Sequence, residues 1–175
     1  MAVVKANYVK KGDGERERAK ATIKYIQHRP GKDHERKFRN LFGIDGPMGR
    51  WQAYRMVDDA PKGRYFYRFV INPDPVTEDK EKDLPLREII EQTMQTLEDR
   101  LKQHIQWVAA IHDDHTDKRH IHALAIIKGR LNRDDLDALI KAATLEAQLQ
   151  RGARDLMQEV EAYQREREEA QWEIY

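Results

Sequence analysis

The chain of 175 residues contains no cysteine, which excludes disulfide staples, thiolate zinc sites, iron–sulfur clusters and thiol nucleophiles. No apolar run approaches the roughly 18 residues of a membrane-spanning helix, and no apolar segment of the signal-peptide kind opens the chain. From these absences we expect a soluble, cytoplasmic protein without a membrane segment. Internal repeats and low-complexity linkers are also lacking, and the length suits one domain with a short appendage. We place the domain at residues 1–150 and a charged helical tail or linker at 151–175. Hydrophobic residues make up only 39% of the chain and charged residues 36%, against a usual charged share of about 25%. The surface must therefore be densely charged around a modest core.

The net charge of +1 conceals an asymmetry. Residues 1–70 carry 17 Lys and Arg against 8 Asp and Glu, whereas residues 71–175 carry 15 against 23. A basic first half suits a surface that follows phosphates, because each cation that neutralises a phosphate releases counterions. A solvated surface whose charges mix in space would account for the same count.

Residues 2–9 are rich in strand formers, and Gly12 and Gly14 mark the turn after them. Between Glu15 and His28 the apolar residues Ala19, Ile23 and Ile26 recur at helical spacing, and Pro30-Gly31 stops the helix. Residues 31–50 read as a basic, glycine-punctuated connection. The segments 51–57 and 64–72 read as strands joined by a hairpin turn at 58–63. A second amphipathic helix runs from Leu86 to Gln103, strands follow at 105–112 and 120–128, and Asn132 caps a final long helix. Helices alternating with hairpin pairs predict a mixed α/β (α+β) fold, with an antiparallel sheet of about five strands and helices packed on one face.

Chemistry concentrates between His112 and His122, where four of the chain's seven histidines fall. Alternate residues of a strand share a face, so His120 and His122 project side by side. An antiparallel neighbour ending at His112 can add a third imidazole. Three neutral imidazoles with open positions make a catalytic type of metal site. Imidazole favours transition metals over Mg²⁺, so Mn²⁺ or Zn²⁺ should bind better in vitro. Asp114 is placed either to orient one histidine through its second ring N–H or to serve as a turn residue. His115, in the loop, stays outside the ligand set.

The block WVAAIHDDHTDKRHIHALAII (residues 107–127) resembles the three-histidine motif of the HUH endonuclease superfamily, in its plasmid mobilisation and conjugative relaxase branch. The segment RERAKATIKYIQHRPGKD (residues 16–33) is similar to the first helix of those relaxases, which carries a nucleophilic tyrosine. Arg119 stands where these motifs often have proline. The resemblance covers roughly residues 2–130 and implies a ferredoxin-like HUH fold with the paired histidines on a central strand. It also implies Mn²⁺ or Mg²⁺ as the resident metal, single-stranded DNA at an origin-like site as substrate, and other mobilisation proteins as partners. The reaction it implies is attack by a tyrosine on a phosphodiester, giving a 5′-phosphotyrosine and a free 3′-hydroxyl.

On this resemblance Tyr25 is the nucleophile. Tyr8, which ends the first strand, is the runner-up, and Tyr163 corresponds to the later position used by rolling-circle replication initiators of the same superfamily. Lys20, Lys24, Arg29, Lys32, Arg36, Lys37 and Arg39 form the densest basic stretch and are the candidate phosphate contacts. Trp51 and Tyr54 suit either stacking on bases or packing within a strand core. Arg68, within an apolar strand, needs a phosphate or an acidic partner. Two other readings compete: a nucleic-acid-binding module without chemistry, and a histidine–metal phosphodiesterase that uses water and forms no tyrosyl intermediate.

Overall fold

A computed structural model describes residues 1–31, 33–35, 37–113 and 118–172. In chain order the elements are β1 (Val3–Tyr8), α1 (Glu15–His28), β2 (Leu41–Gly43), β3 (Gly46–Met48), α2 (Arg50–Asp58), β4 (Tyr65–Asn72), α3 (Leu86–Leu101), β5 (Gln106–His112), β6 (His120–Ile127) and α4 (Arg133–Trp172). The strands form one sheet of six in the order β1-β4-β6-β5-β2-β3, antiparallel at every pairing. Strands β4 and β5 both run antiparallel to β6, which lies between them. They are therefore parallel to each other, and α3 makes the crossover.

The sheet has six described strands because the basic connection at 31–50 folds into a small hairpin. Leu41 pairs with Met48 and Gly43 with Gly46, and Gly46 adopts φ 115°, a value that favours glycine. A Cβ on Gly43 would lie 3.0 Å from the Trp107 carbonyl oxygen and 2.8 Å from the Met48 side chain. Glycine there lets β2 approach β5.

Helices cover both faces, not one. Alternation along the strands sends Phe66, Val108, Ala110, Leu124 and Ile126 to the face packed by α1 and α2, against Ala19, Ile23, Ile26, Ala53 and Val57. It sends Phe69, Ile71, Trp107, Ala109, Ile121, Ala123 and Ala125 to the opposite face, against Ile89, Ile90, Met94 and Leu97 of α3 and Leu139, Ala143 and Ala147 of α4. The reason lies in β5 and β6, whose near-continuous apolar runs leave no polar face to turn to water.

The strand and hairpin expected at 51–57 are absent: Arg50–Asp58 is helix α2. Its buried residues Ala53, Met56, Val57 and the following Ala60 recur at i, i+3, i+4 and i+7, the helical period. The Gln52 side chain accepts the Gly49 N–H at 2.7 Å and caps the first turn. Trp51 and Tyr54 are thus helix residues, and Trp51 is exposed.

At the start of α4, Asn132 and Asp135 cap each other: the Asp135 N–H donates to Asn132 Oδ1 at 2.9 Å and the Asn132 N–H to Asp135 Oδ2 at 3.0 Å. Arg100 of α3 pairs with the same carboxylate at 3.1 Å.

Arg119, the residue that departs from the relaxase pattern, has a structural task. It pairs with the buried Asp79 at 2.9 Å and donates to the Leu84 carbonyl, pinning the start of β6 to the loop before α3. Removing one partner of a buried pair leaves the other uncompensated. Arg119→Ala should therefore cost about 3 kcal/mol of folding free energy, measured by urea denaturation. A loss below about 0.5 kcal/mol would mean that the pair behaves as a surface one.

Candidate metal centre

Strands β5 and β6 bring the three histidines together by register. His112 lies directly opposite His120, and His122, two residues further along, lies opposite Ala110 on the same face. The ring centroids of His112 and His122 are 4.4 Å apart, those of His120 and His122 4.9 Å, and those of His112 and His120 5.3 Å. Each residue offers one nitrogen, and these nitrogens lie within 4.8 Å of one another.

Hydrogen bonds set the direction of two rings. His112 Nε2 is 2.8 Å from the Ile26 carbonyl oxygen, so Nε2 carries the proton and Nδ1 the lone pair. His120 Nδ1 is 3.1 Å from the Lys118 carbonyl oxygen, which makes Nε2 the lone-pair nitrogen of that ring. Among the described residues, His112 Nδ1 and His122 Nε2 are buried without a hydrogen-bond partner. Buried polar atoms are normally satisfied, and two orphaned imidazole nitrogens in one cluster are what a metal ion would satisfy. The Ile26 carbonyl then acts as the outer partner that orients a ligand histidine. The donor set fits a divalent transition metal.

Electrostatics point the same way. Burial, reinforced by His122, Arg39 and His120, holds the His112 imidazole down at about 3. Burial, with His120, Arg29 and Arg39, lowers His122 to about 4. Both rings are thus neutral at physiological pH, the form that ligates metal. Their folded values lie below the ordinary 6.5, so the unfolded chain takes up more protons as the pH falls. The metal-free protein should keep its full stability above pH 6.5, lose it progressively below, and level off past the folded values. Urea denaturation in chelator across pH 7 to 4 checks this, and a flat profile would contradict it.

Helix α1 closes the site. Ile26 and Ile23 bury its lower face, while Tyr25 stays half exposed beside the cluster. The Tyr25 ring meets His122 edge-on, with centroids 6.4 Å apart and planes at 84°, and the Arg29 guanidinium lies over the Tyr25 ring, 5.7 Å from its centroid. Tyr8 lies on the opposite sheet face, edge-on to Tyr65 and Tyr67 and under the Arg130 guanidinium. Tyr163 is exposed on α4.

The expected basic stretch divides. Lys20 pairs with Glu17 at 2.8 Å and Asp58 at 2.9 Å, Lys37 pairs with Asp33 at 3.4 Å, and Arg39 is buried with its guanidinium on the Arg29 carbonyl at 2.7 Å. Lys24 is exposed. Lys32, Arg36, Asp114 and His115 lie outside the described residues.

Of a second basic surface, sequence reasoning singled out only Arg68. Helix α1 does not cover the outer part of the sheet, where a cavity of about 730 Å³ runs beside Tyr25 and His122, with Lys5, Asn7, Lys10, Arg18 and Arg68 in its walls. Arg68 is exposed in β4, opposite Asn7 in the β1–β4 register, which is how an apolar strand carries a charged residue. The alternation of Lys5 and Asn7 with Val4, Ala6 and Tyr8 was the available signal.

The protein is thus a mixed α/β domain with a histidine triad able to chelate a metal ion, and aromatic side chains close by. No protein-family model, curated protein or solved structure matches the chain.

Proposed function

We propose that the chain is a metal-dependent endonuclease and transesterase of the HUH relaxase kind, which nicks and rejoins single-stranded DNA at an origin-like site during DNA mobilisation. The observation that carries this reading is the helix turn Tyr25-Ile26: its carbonyl holds the ligand histidine His112 while its phenol stands against His122 at the edge of a basic cavity. The topology supports it as well. Strands β1-β4-β6-β5, with α3 and α4 on one face, follow the ferredoxin-like strand order with the edge strand supplied by the start of the chain. Residues 1–150 form the nuclease unit in this reading, and 151–175 a tail available to other mobilisation proteins.

His112, His120 and His122 would hold a divalent ion, Mn²⁺ or Mg²⁺ in the cell, which when bound would supply Lewis-acid charge at the scissile phosphate. The chain's own residues do the rest. The Tyr25 hydroxyl oxygen forms a bond to phosphorus as the bond from phosphorus to the 3′-oxygen breaks. The phenol loses its proton and the departing 3′-oxygen gains one. One phosphoester replaces another, so the nick can be resealed by reversal. Arg29 and Arg39 hold positive potential around the cluster, and Lys5, Lys10 and Arg68 supply phosphate contacts along the cavity.

The test is mass-spectrometric mapping of covalent adducts after incubation with Mn²⁺ and a randomised single-stranded DNA pool, against a chelated control. A metal-dependent adduct on Tyr25 is expected. An adduct on Tyr163 would move the reading to a replication initiator, and cleaved DNA without an adduct would leave hydrolysis by water.

A further inference from the structure

We propose that a second cavity, formed by the end of α1, the β2–β3 hairpin and the start of α2, holds one unpaired nucleobase of the bound strand and reads it through Gln27. This rests on the single-stranded DNA reading above. The cavity is about 620 Å³ and is lined by Gln27, Phe38, Leu41, Phe42, Met48 and Trp51, with Arg50 at its side. That volume suits a small planar ligand.

Three features name the ligand class. Phe38 and Trp51 are 70% and 73% exposed, a poor use of large aromatics unless something stacks on them. Each ring is held by an aromatic neighbour, Phe38 by His28 at 5.5 Å and Trp51 by Tyr54 at 5.6 Å, so little ordering remains for a ligand to impose. Stacking on aromatic side chains is how proteins bind unpaired bases without a duplex. Gln27 is only 4% exposed, and its amide oxygen is buried with no hydrogen-bond partner among the described residues. It calls for a donor, and an amide meets the amino group and adjacent ring nitrogen of a base such as adenine in two hydrogen bonds. Arg50, 3.1 Å from His28 Nε2, supplies a cation for the attached phosphate.

Gln27 follows Tyr25 by two residues on α1, whereas the cavity beside Tyr25 is walled by β1 and β4. A strand crossing the end of α1 would therefore place its reacting phosphate at Tyr25 and a flanking base against Gln27. Specificity for the nucleotides next to the nick would reside there.

Binding of short labelled oligonucleotides to the full chain, measured by fluorescence anisotropy in chelator, tests this apart from the chemistry. Trp51→Ala should weaken binding of every homopolymer about tenfold. Gln27→Leu should weaken oligo-dA about tenfold and leave oligo-dT within about twofold. Because Gln27 carries an unsatisfied oxygen, Gln27→Leu should melt no lower than the unaltered protein. Free dAMP should compete weakly, since it lacks the flanking phosphates. The proposal is overturned if both variants bind all homopolymers like the unaltered protein, if Gln27→Leu lowers stability, or if dAMP binds as tightly as the strand. Tyr25 adduct formation is read separately, so failure of the pocket and failure of the nuclease reading give different results.

Discussion

If the proposed reaction is right, Tyr25→Phe should abolish the covalent adduct and lower metal-dependent nicking by at least about a thousandfold, the least that loss of a nucleophile should cost. The substitution isolates one atom. Phenylalanine keeps the edge-on contact with His122 and the Arg29 stacking, and Tyr25 is half exposed, so stability should change by less than about 0.5 kcal/mol. Metal affinity should be unchanged. Tyr8→Phe should leave the adduct intact, because β1 turns Tyr8 to the face away from the histidines. Full nicking by Tyr25→Phe, measured on a labelled single strand, would end the tyrosine mechanism and leave a water nucleophile.

The second large effect concerns the triad. His122→Ala should reduce Mn²⁺ or Zn²⁺ affinity by more than about 100-fold, exceeding the 10–100-fold that outer partners of a ligand command. Calorimetric titration measures it. Metal at a hundred times its dissociation constant should stabilise the unaltered protein by about 2.7 kcal/mol through linkage, and this gain should vanish in the variant. His112→Ala should lose metal equally and also destabilise the metal-free protein by about 1–3 kcal/mol, because the Ile26 carbonyl loses its buried donor. Among the described residues no such bond is found for His122, and its loss should cost less. Equal metal affinity in either variant would mean that the cluster is not the binding site.

The triad was legible because strand periodicity is local. His120 and His122 share a face in any strand, and the short loop before them allows only a tight return from His112. Helices α1 and α3 were legible for the same reason, since their buried residues repeat at one period. Segment 51–57 was not. Trp51, Ala53 and Val57 fall on alternate positions, interrupted by Arg55, while Ala53, Met56, Val57 and Ala60 satisfy the helical repeat, and seven residues are too few for length to decide. The three-residue strands β2 and β3 have no period to read, although Asp45-Gly46 between apolar residues was a hairpin signal. Chemical type did not reveal which cations stay available: Lys20 and Lys37 find carboxylates and Arg39 is buried, while Arg68, inside an apolar strand, opens onto the cavity.

By itself, the sequence determined the strands and helices of regular period, the paired imidazoles and the tyrosine-bearing helix, because each is written in spacings of a few residues. Only the tertiary structure decided that helices cover both faces, that α1 crosses β5 and β6 so that Tyr25 meets His122, that Tyr8 faces the other way, and that Gln27 keeps an unmatched oxygen beside two exposed aromatics. Those facts depend on packing between segments as much as 142 residues apart, where backbone carbonyls such as that of Ile26 do as much as side chains and leave no mark on residue identity.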